Sequence, residues 1–208
     1  MIAVVDYGRG NLYSIAQALS HLGEPHEITA DPARVAAADR ILLPGVGAFG
    51  DAMAALTQRG LVEPLRRAAG NGVPLLGICL GMQMLVDESE EFGRHQGLGL
   101  IAGAVRRLPE GEGPDAHRLP NVGWRTLEPR ADDGLLAGLP DKAMVYFVHS
   151  YAPRPADPAH VAATILFNGE HVPVIIRRGS ILGFQFHPEK SGEIGLELIR
   201  RFLQMGRA

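Results

Sequence analysis

Cysteine is nearly missing from this chain. One thiol, Cys79, stands among 208 residues, so no internal disulfide can form and the chain need not belong to an oxidising compartment. Basic excess is missing too. The 20 Lys and Arg face 23 Asp and Glu, for a formal net charge of -3, which leaves no surplus to neutralise a phosphate backbone and argues against nucleic acid as a partner. Lysine occurs only at Lys142 and Lys190. No long apolar run is present: the longest, Val73 to Val86, contains Pro74 and is too short to span a bilayer. Met1 to Asp6 runs straight into a strand-like pattern without a basic segment or cleavage site, so no signal peptide is read and a soluble cytoplasmic protein is expected. Repeats and low-complexity tracts are absent as well.

What is present suits one compact unit spanning residues 1–208. At 46% hydrophobic the chain can bury a full core. Its 26 Gly and 15 Pro fall between apolar runs and not in one linker, which indicates many tight turns. In the first half, strands alternate with helices. Ile2 to Asp6, His26 to Ile28, Ile41 to Leu43 and Leu75 to Ile78 read as strands. Asn11 is placed to cap a helix carrying Leu12, Ile15, Ala16, Leu19 and Leu22 on one face, ended by Gly23. Asp31-Pro32 is a cap followed by proline at the first helical position. A further helix begins near Asp51, and Leu80 to Asp87 reads as another. Uniformly apolar strands between helices imply a parallel sheet covered on both faces. The second half reads as strands at Gly103 to Leu108, Trp124 to Glu128, Met144 to Val148, His160 to Leu166, Val172 to Arg177 and Ile181 to Phe186. A hairpin turn falls at Arg178-Gly179-Ser180 and a last helix runs from Glu193 to Met205. The expectation is an α/β fold with a mixed, mostly parallel central sheet, helices on both faces, and added antiparallel strands.

Cys79 lies in Gly77-Ile78-Cys79-Leu80-Gly81, a nucleophile elbow with cysteine in place of serine, between an apolar strand and a helix. Flanking glycines are needed because side chains there would strike neighbouring backbone, and the helix start beneath the sulfur favours the thiolate. A lone cysteine is more often a small buried hydrophobe; the two glycines at the strand–helix junction reverse those odds. Of eight histidines, His187 stands out in Gln185-Phe186-His187-Pro188-Glu189. Pro188 makes His187 extended, and residues two apart in extended chain share a side, so Glu189 can hold the imidazole tautomer. His149 is the rival base, with no carboxylate near it in sequence. The remaining histidines fit surface or satisfied core. No His/Cys/Asp cluster has metal-ligand spacing, so no metal is expected.

The amide of Leu80 is one donor for an oxyanion, and Pro44-Gly45-Val46-Gly47 is placed to supply a second from Val46 or Gly47. The same loop forms a decoy, because Gly45-Val46-Gly47-Ala48-Phe49-Gly50 matches a dinucleotide-binding glycine pattern. It lacks the carboxylate about 20 residues on that such a site needs, since residues 68–72 hold no acid.

Taken together, Pro44-Gly45-Val46-Gly47, Gly77-Ile78-Cys79-Leu80-Gly81-Met82-Gln83 and Gln185-Phe186-His187-Pro188-Glu189 resemble the triad-type glutamine amidotransferases, over essentially the whole chain. Asp6-Tyr7-Gly8-Arg9-Gly10-Asn11, Tyr146-Phe147-Val148-His149-Ser150-Tyr151 and His187-Pro188-Glu189-Lys190-Ser191 resemble the branch that serves imidazole glycerol phosphate synthase. The resemblance implies a flavodoxin-like class I fold, no cofactor, and hydrolysis of glutamine by Cys79, with His187 as acid and base oriented by Glu189. It implies that Gln83, Gly47 and backbone over Val148, His149 and Ser150 bind glutamine, and that Glu91 holds its α-ammonium. It further implies a heterodimer with a cyclase subunit that receives the ammonia in histidine synthesis, with Tyr7, Asn11, Trp124 and Lys190 as interface candidates. In the acidic run Asp87-Glu88-Ser89-Glu90-Glu91, read as a helix C-terminus, the other carboxylates fit a solvated face. Asn121-Val122-Gly123-Trp124-Arg125 departs from the branch, which more often shows His-Met-Gly-Trp-Asn. Rival readings are an amidotransferase subunit for anthranilate or pyridoxal phosphate synthesis, a non-catalytic binding subunit of the same fold, and a free-standing cysteine hydrolase.

Overall fold

The structure is a computed structural model describing residues 1–113, 116–130 and 134–206. Four short apolar segments form parallel strands separated by helices. They are β1 (Ile2–Val5), then α1 (Leu12–His21), β2 (His26–Thr29), α2 (Pro32–Ala36), β3 (Arg40–Gly45), α3 (Phe49–Gln58), α4 (Val62–Gly70) and β4 (Leu75–Cys79). A one-turn helix, α5 (Leu80–Met84), follows Cys79 directly, and then come β5 (Val86–Ser89), β6 (His95–Gln96) and β7 (Ile101–Arg107). The remainder is mostly strand: β8 (Asn121–Thr126), β9 (Glu128–Pro129), β10 (Met144–His149), β11 (Tyr151–Pro155), β12 (Val161–Phe167), β13 (Glu170–Arg178) and β14 (Ile181–Phe184), closed by α6 (Gly192–Gln204).

The main sheet has the order β2-β1-β3-β4-β14-β13-β12-β9. β2 through β14 run parallel, and β13, β12 and β9 are added antiparallel at one side. Because side chains alternate along a strand, each parallel strand feeds two cores. Val4, Leu42 and Leu76 face one layer with Ile15 and Leu19 of α1 and Leu198, Ile199 and Phe202 of α6. Ala3, Val5, Ile41, Leu43 and Leu75 face the other with Val35 of α2, Phe49 and Leu56 of α3, and Leu65 of α4. The mixed sheet between two helical layers is the expected α/β architecture. A β10–β8 ribbon and a second sheet, β11-β7-β5-β6, stand beside it.

Some local expectations hold. Asp31 caps α2 by accepting from the Ala33 amide at 2.8 Å, and β13 turns into β14 through Gly179-Ser180, with Arg178 paired to Ile181. Others need correction. The helix expected to reach Asp87 stops at Met84, and Val86 to Ser89 is strand, so the acidic run is not a helix C-terminus. The cause is long-range: the amides of Leu98 and Leu100 bond the carbonyls of Met84 and Leu85, each at 2.8 Å, and that of Gly99 bonds Val86 at 3.1 Å. These bonds draw the chain into a parallel pairing with β7. Asn11 does occupy the residue before α1, but its side chain makes no cap.

Candidate active site

Cys79 closes β4 with φ 56° and ψ −112°, a backbone that costs any residue but glycine energy and is retained where surrounding packing enforces it. The packing is visible at its neighbours. A Cβ on Gly77 would stand 2.6 Å from the Gly81 carbonyl, and one on Gly81 would stand 1.7 Å from the Leu43 carbonyl oxygen. β3, β4 and α5 therefore approach so closely that only glycine fits, and the sulfur is presented where α5 begins.

β14 lies next to β4, with Phe184 opposite Ile78. Its continuation brings Gln185, Phe186 and His187 alongside the elbow. His187 is extended (φ −95°, ψ 96°) and Pro188 starts a single 3-10 turn that folds Glu189 back. His187 Nδ1 lies 2.8 Å from Glu189 Oε1, with both side chains almost fully buried. Asn11 Nδ2 donates to the same carboxylate oxygen at 3.1 Å. The turn is fixed by Ser191, whose hydroxyl donates to the His187 carbonyl at 2.6 Å and accepts from the Tyr146 amide at 3.0 Å. Burial alone would lower the His187 pKa. The interactions with the Cys79 sulfur and the Glu189 carboxylate outweigh it and push the imidazole up to about 10. Nε2 makes no fully formed hydrogen bond, but the Cys79 sulfur raises the ring's pKa by hydrogen bonding as well as by charge, which places the thiol beside the imidazole.

Cys79 and His187 open into one cavity of about 210 Å³, whose wall includes Val46, Gly47, Leu80, Gln83, Glu91, Val148, His149, Ser150 and Tyr151. Every residue expected from the sequence to hold an oxyanion or glutamine lies on this wall. The volume suits a ligand of amino-acid size. A roomier cleft of about 610 Å³ runs along α3, α4 and the His95 turn, but neither Cys79 nor His187 lines it. Glu91 enters the wall with one oxygen already committed. Its Oε2 accepts from the Phe49 amide at 2.7 Å, so it caps α3, whose own preceding residue, Ala48, offers no cap. The Gly45–Gly50 decoy runs from the end of β3 into the first turn of α3, and its Val46 and Gly47 line the cavity together with the thiol.

His149 is not a second base. Nδ1 meets the Tyr151 carbonyl at 2.9 Å and Nε2 meets the Asn121 amide at 3.0 Å. Burial pushes its pKa down to about 4, so the ring is neutral. Among the described residues no three His, Cys, Asp or Glu side chains gather as a metal site.

The interface candidates divide. Tyr7 is 1% exposed and packs behind the end of β3, where a Cβ on Gly45 would lie 2.5 Å from its hydroxyl; it is therefore a core residue and is withdrawn from the interface. Burial and the Cys79 charge both raise its phenol pKa. Asn11 is half-buried and engaged with Glu189. Trp124 and Lys190 are exposed, and Trp124 meets Tyr146 edge to face at 6.1 Å. Sequence reasoning missed the Asn11–Glu189 bond and fully buried Gln185, whose Nε2 reaches Cys79 Sγ at 3.9 Å. It also missed buried Asn121. Each joins partners dozens of residues apart, and no local spacing signals them.

A family model described as glutamine amidotransferase class-I matches residues 3–205. The chain belongs to the class-I glutamine amidotransferase family. Among the curated proteins it resembles are subunits of imidazole glycerol phosphate synthase. The chain is 47% identical over 206 residues to the imidazole glycerol phosphate synthase subunit HisH of Moorella thermoacetica, covering 99% of this chain and 95% of that one. It is 42% identical over 210 residues to subunit HisH 1 of Legionella pneumophila (strain Lens), covering 98% and 99%. Among solved structures, one described as a glutamine amidotransferase superposes with a TM-score of 0.76 at 22% identity, covering 99% of this chain and 98% of that one. PurLQS from Thermotoga maritima superposes with a TM-score of 0.72 at 20% identity, covering 97% and 96%. At such identities these two speak for the fold alone.

Proposed function

We propose that residues 1–208 form one glutamine amidotransferase domain that hydrolyses glutamine to glutamate and ammonia as the glutaminase subunit of an imidazole glycerol phosphate synthase in histidine biosynthesis. The observation that carries the chemistry is the chain's sole thiol, on a strained elbow, sharing a small cavity with an imidazole bonded to a buried carboxylate. Relatives named as HisH at 42% and 47% identity, covered almost end to end, support the pathway.

The Cys79 thiolate attacks the side-chain amide carbon of glutamine. Amides of Leu80 and of Val46 or Gly47 take the oxyanion. His187, protonated and held by Glu189, gives its proton to the departing ammonia. The neutral imidazole then activates water against the thioester, and glutamate leaves. Glu91 offers its remaining oxygen to the α-ammonium, Gln83 and Gly47 contact the ligand, and backbone at Val148 to Ser150 takes its carboxylate end.

The ammonia goes to a cyclase subunit bound over the outer face of the β8–β10 ribbon. Val122, Trp124, Met144 and Val148 are all exposed there, and Val148 also lines the cavity mouth. Trp124 and Lys190 are the contacts retained for this face, with Asn11 linking it to Glu189. No helix among the described residues is long and apolar enough to cross a membrane, and we place the enzyme in the cytoplasm with the rest of amino-acid synthesis.

The test is glutamate release from glutamine, by the chain alone and then with a cyclase subunit and its ribotide ligand. Strong turnover in the full mixture supports chemistry and pathway together. Equal turnover in both would keep the glutaminase and remove the cyclase, and no turnover in either would overturn the reading.

A further inference from the structure

The chain beyond β14 brings two polar side chains to the thiol, and the chemistry above uses only His187. Phe184 of β14 pairs with Ile78 of β4, so the next residue, Gln185, comes level with Cys79. Its backbone amide bonds the Val174 carbonyl at 2.9 Å, which keeps the chain extended against β13. Residues two apart in extended chain share a side, so Gln185 and His187 both reach the sulfur. Gln185 is fully buried and does not line the cavity. It meets the sulfur from the closed side and touches no ligand. The orientation of its side-chain amide is forced by a backbone group. The Tyr151 carbonyl can only accept, so the Gln83 atom 2.9 Å from it is Nε2. That same nitrogen lies 3.1 Å from one end of the Gln185 amide, which must then be Oε1. The other end, Nε2, is left to face Cys79 Sγ at 3.9 Å. Turning the Gln185 amide would set nitrogen against nitrogen in a buried pair.

We propose that Gln185 is a positioning residue for the nucleophile, whose Nε2–H donates to the Cys79 sulfur and stabilises the thiolate, both before attack on glutamine and when the thioester releases it. The proposal rests on the reading of Cys79 as nucleophile. Hydrogen bonds to an ion are shorter and stronger than neutral ones, so this contact gains when the sulfur is charged. His187 loses and regains a proton in each turnover. An amide keeps its hydrogens, so Gln185 offers the sulfur a donor that is the same at every step.

The experiment uses the full chain and follows iodoacetamide alkylation of Cys79, the only thiol, against pH. The titratable groups around the sulfur are His187 beyond β14, Tyr7 beyond β1, and His149 and Glu91 on the cavity wall. Gln185→Met replaces none of them. A donor to the thiolate raises the fraction ionised but not the reactivity of the thiolate once formed. The Gln185→Met profile should therefore move up by about half to one pH unit, the weight of one hydrogen bond, and still reach at least the wild-type plateau at high pH. At neutral pH kcat for glutamine should fall about three- to tenfold while KM moves less than about twofold, because Gln185 touches no ligand. An unmoved midpoint, or a lowered plateau with a lowered melting temperature, would make Gln185 merely structural and overturn the proposal. A second measurement needs no variant to fold. In the wild type labelled with 15N-glutamine, a Gln185 Nε2 proton should shift downfield across the alkylation midpoint, and resonances that stay flat there would overturn the proposal. A wild type that alkylates normally yet releases no glutamate with any cyclase subunit would instead overturn the glutaminase reading, so the two failures are distinguishable.

Discussion

Two carboxylates serve the thiol site, and each is held by a different donor. Glu189 is bonded to an imidazole and to the Asn11 amide. Glu189→Gln keeps the shape but replaces an acceptor that stabilises imidazolium with an amide that does not. The expected result is a kcat lowered by about 10²–10⁴, with KM for glutamine within about threefold, read from steady-state glutamate release. Glu91 has two tasks that substitution can separate, because it caps α3 through the Phe49 amide while facing the cavity. Glu91→Gln retains an oxygen for the cap and loses the charge for an ammonium, so KM should rise about tenfold or more with kcat nearly kept. Glu91→Ala loses both. It frees the start of α3, directly after the loop of Val46 and Gly47 proposed to take the oxyanion, and should lower kcat as well as raise KM. Equal kinetic effects of the two substitutions would show that the cap is irrelevant.

At the scale of elements, the strand–helix elbow decides where the sulfur sits. Glycine to alanine inside an exposed helix normally gains up to about 1 kcal/mol. At Gly81 the sign should reverse, because the new Cβ would stand 1.7 Å from the Leu43 carbonyl oxygen, which is fixed in β3. Gly81→Ala should cost about 3 kcal/mol or more, read as a lowered urea midpoint. This crowding is why the elbow was legible in the sequence: the glycines and the thiol are contiguous, and the strand before and helix after are periodic. His187 and Glu189 were legible for the same reason, being two residues apart in extended chain. The end of α5 was not. Its last carbonyls bond amides of residues 98 to 100, and no local window contains that competition. Asn11 was assigned a cap and an outer surface, yet its amide bonds Glu189, 178 residues away. Tyr7 is an interface candidate by resemblance alone, and it is buried with its hydroxyl against Gly45 at the end of β3. Short-range steric rules survive translation into the fold, and side-chain destinations set by topology do not.

Across the whole molecule, two buried histidines should set the pH range of stability from opposite sides. His149 has its pKa lowered from 6.5 to about 4, chiefly by burial. The unfolded chain therefore takes up a proton that the folded chain refuses as pH falls below about 6.5, and the folded state loses ground until about pH 4. The shift corresponds to about 3 kcal/mol. His187 runs the other way. Its pKa is raised to about 10, so its contribution is complete below about pH 6.5 and fades as pH climbs towards 10. In acid it stays protonated in both states and adds no slope. The acid limb thus isolates His149 among the histidines with shifted pKa values. In a His149→Gln variant the difference in unfolding free energy between pH 7 and pH 4 should shrink by about 3 kcal/mol relative to the wild type, even if the variant is less stable at both. Urea unfolding at the two pH values measures it. An unchanged difference would mean that water or a shift of the Asn121 amide accommodates the charged ring, and that the pocket floor is softer than its hydrogen bonds imply.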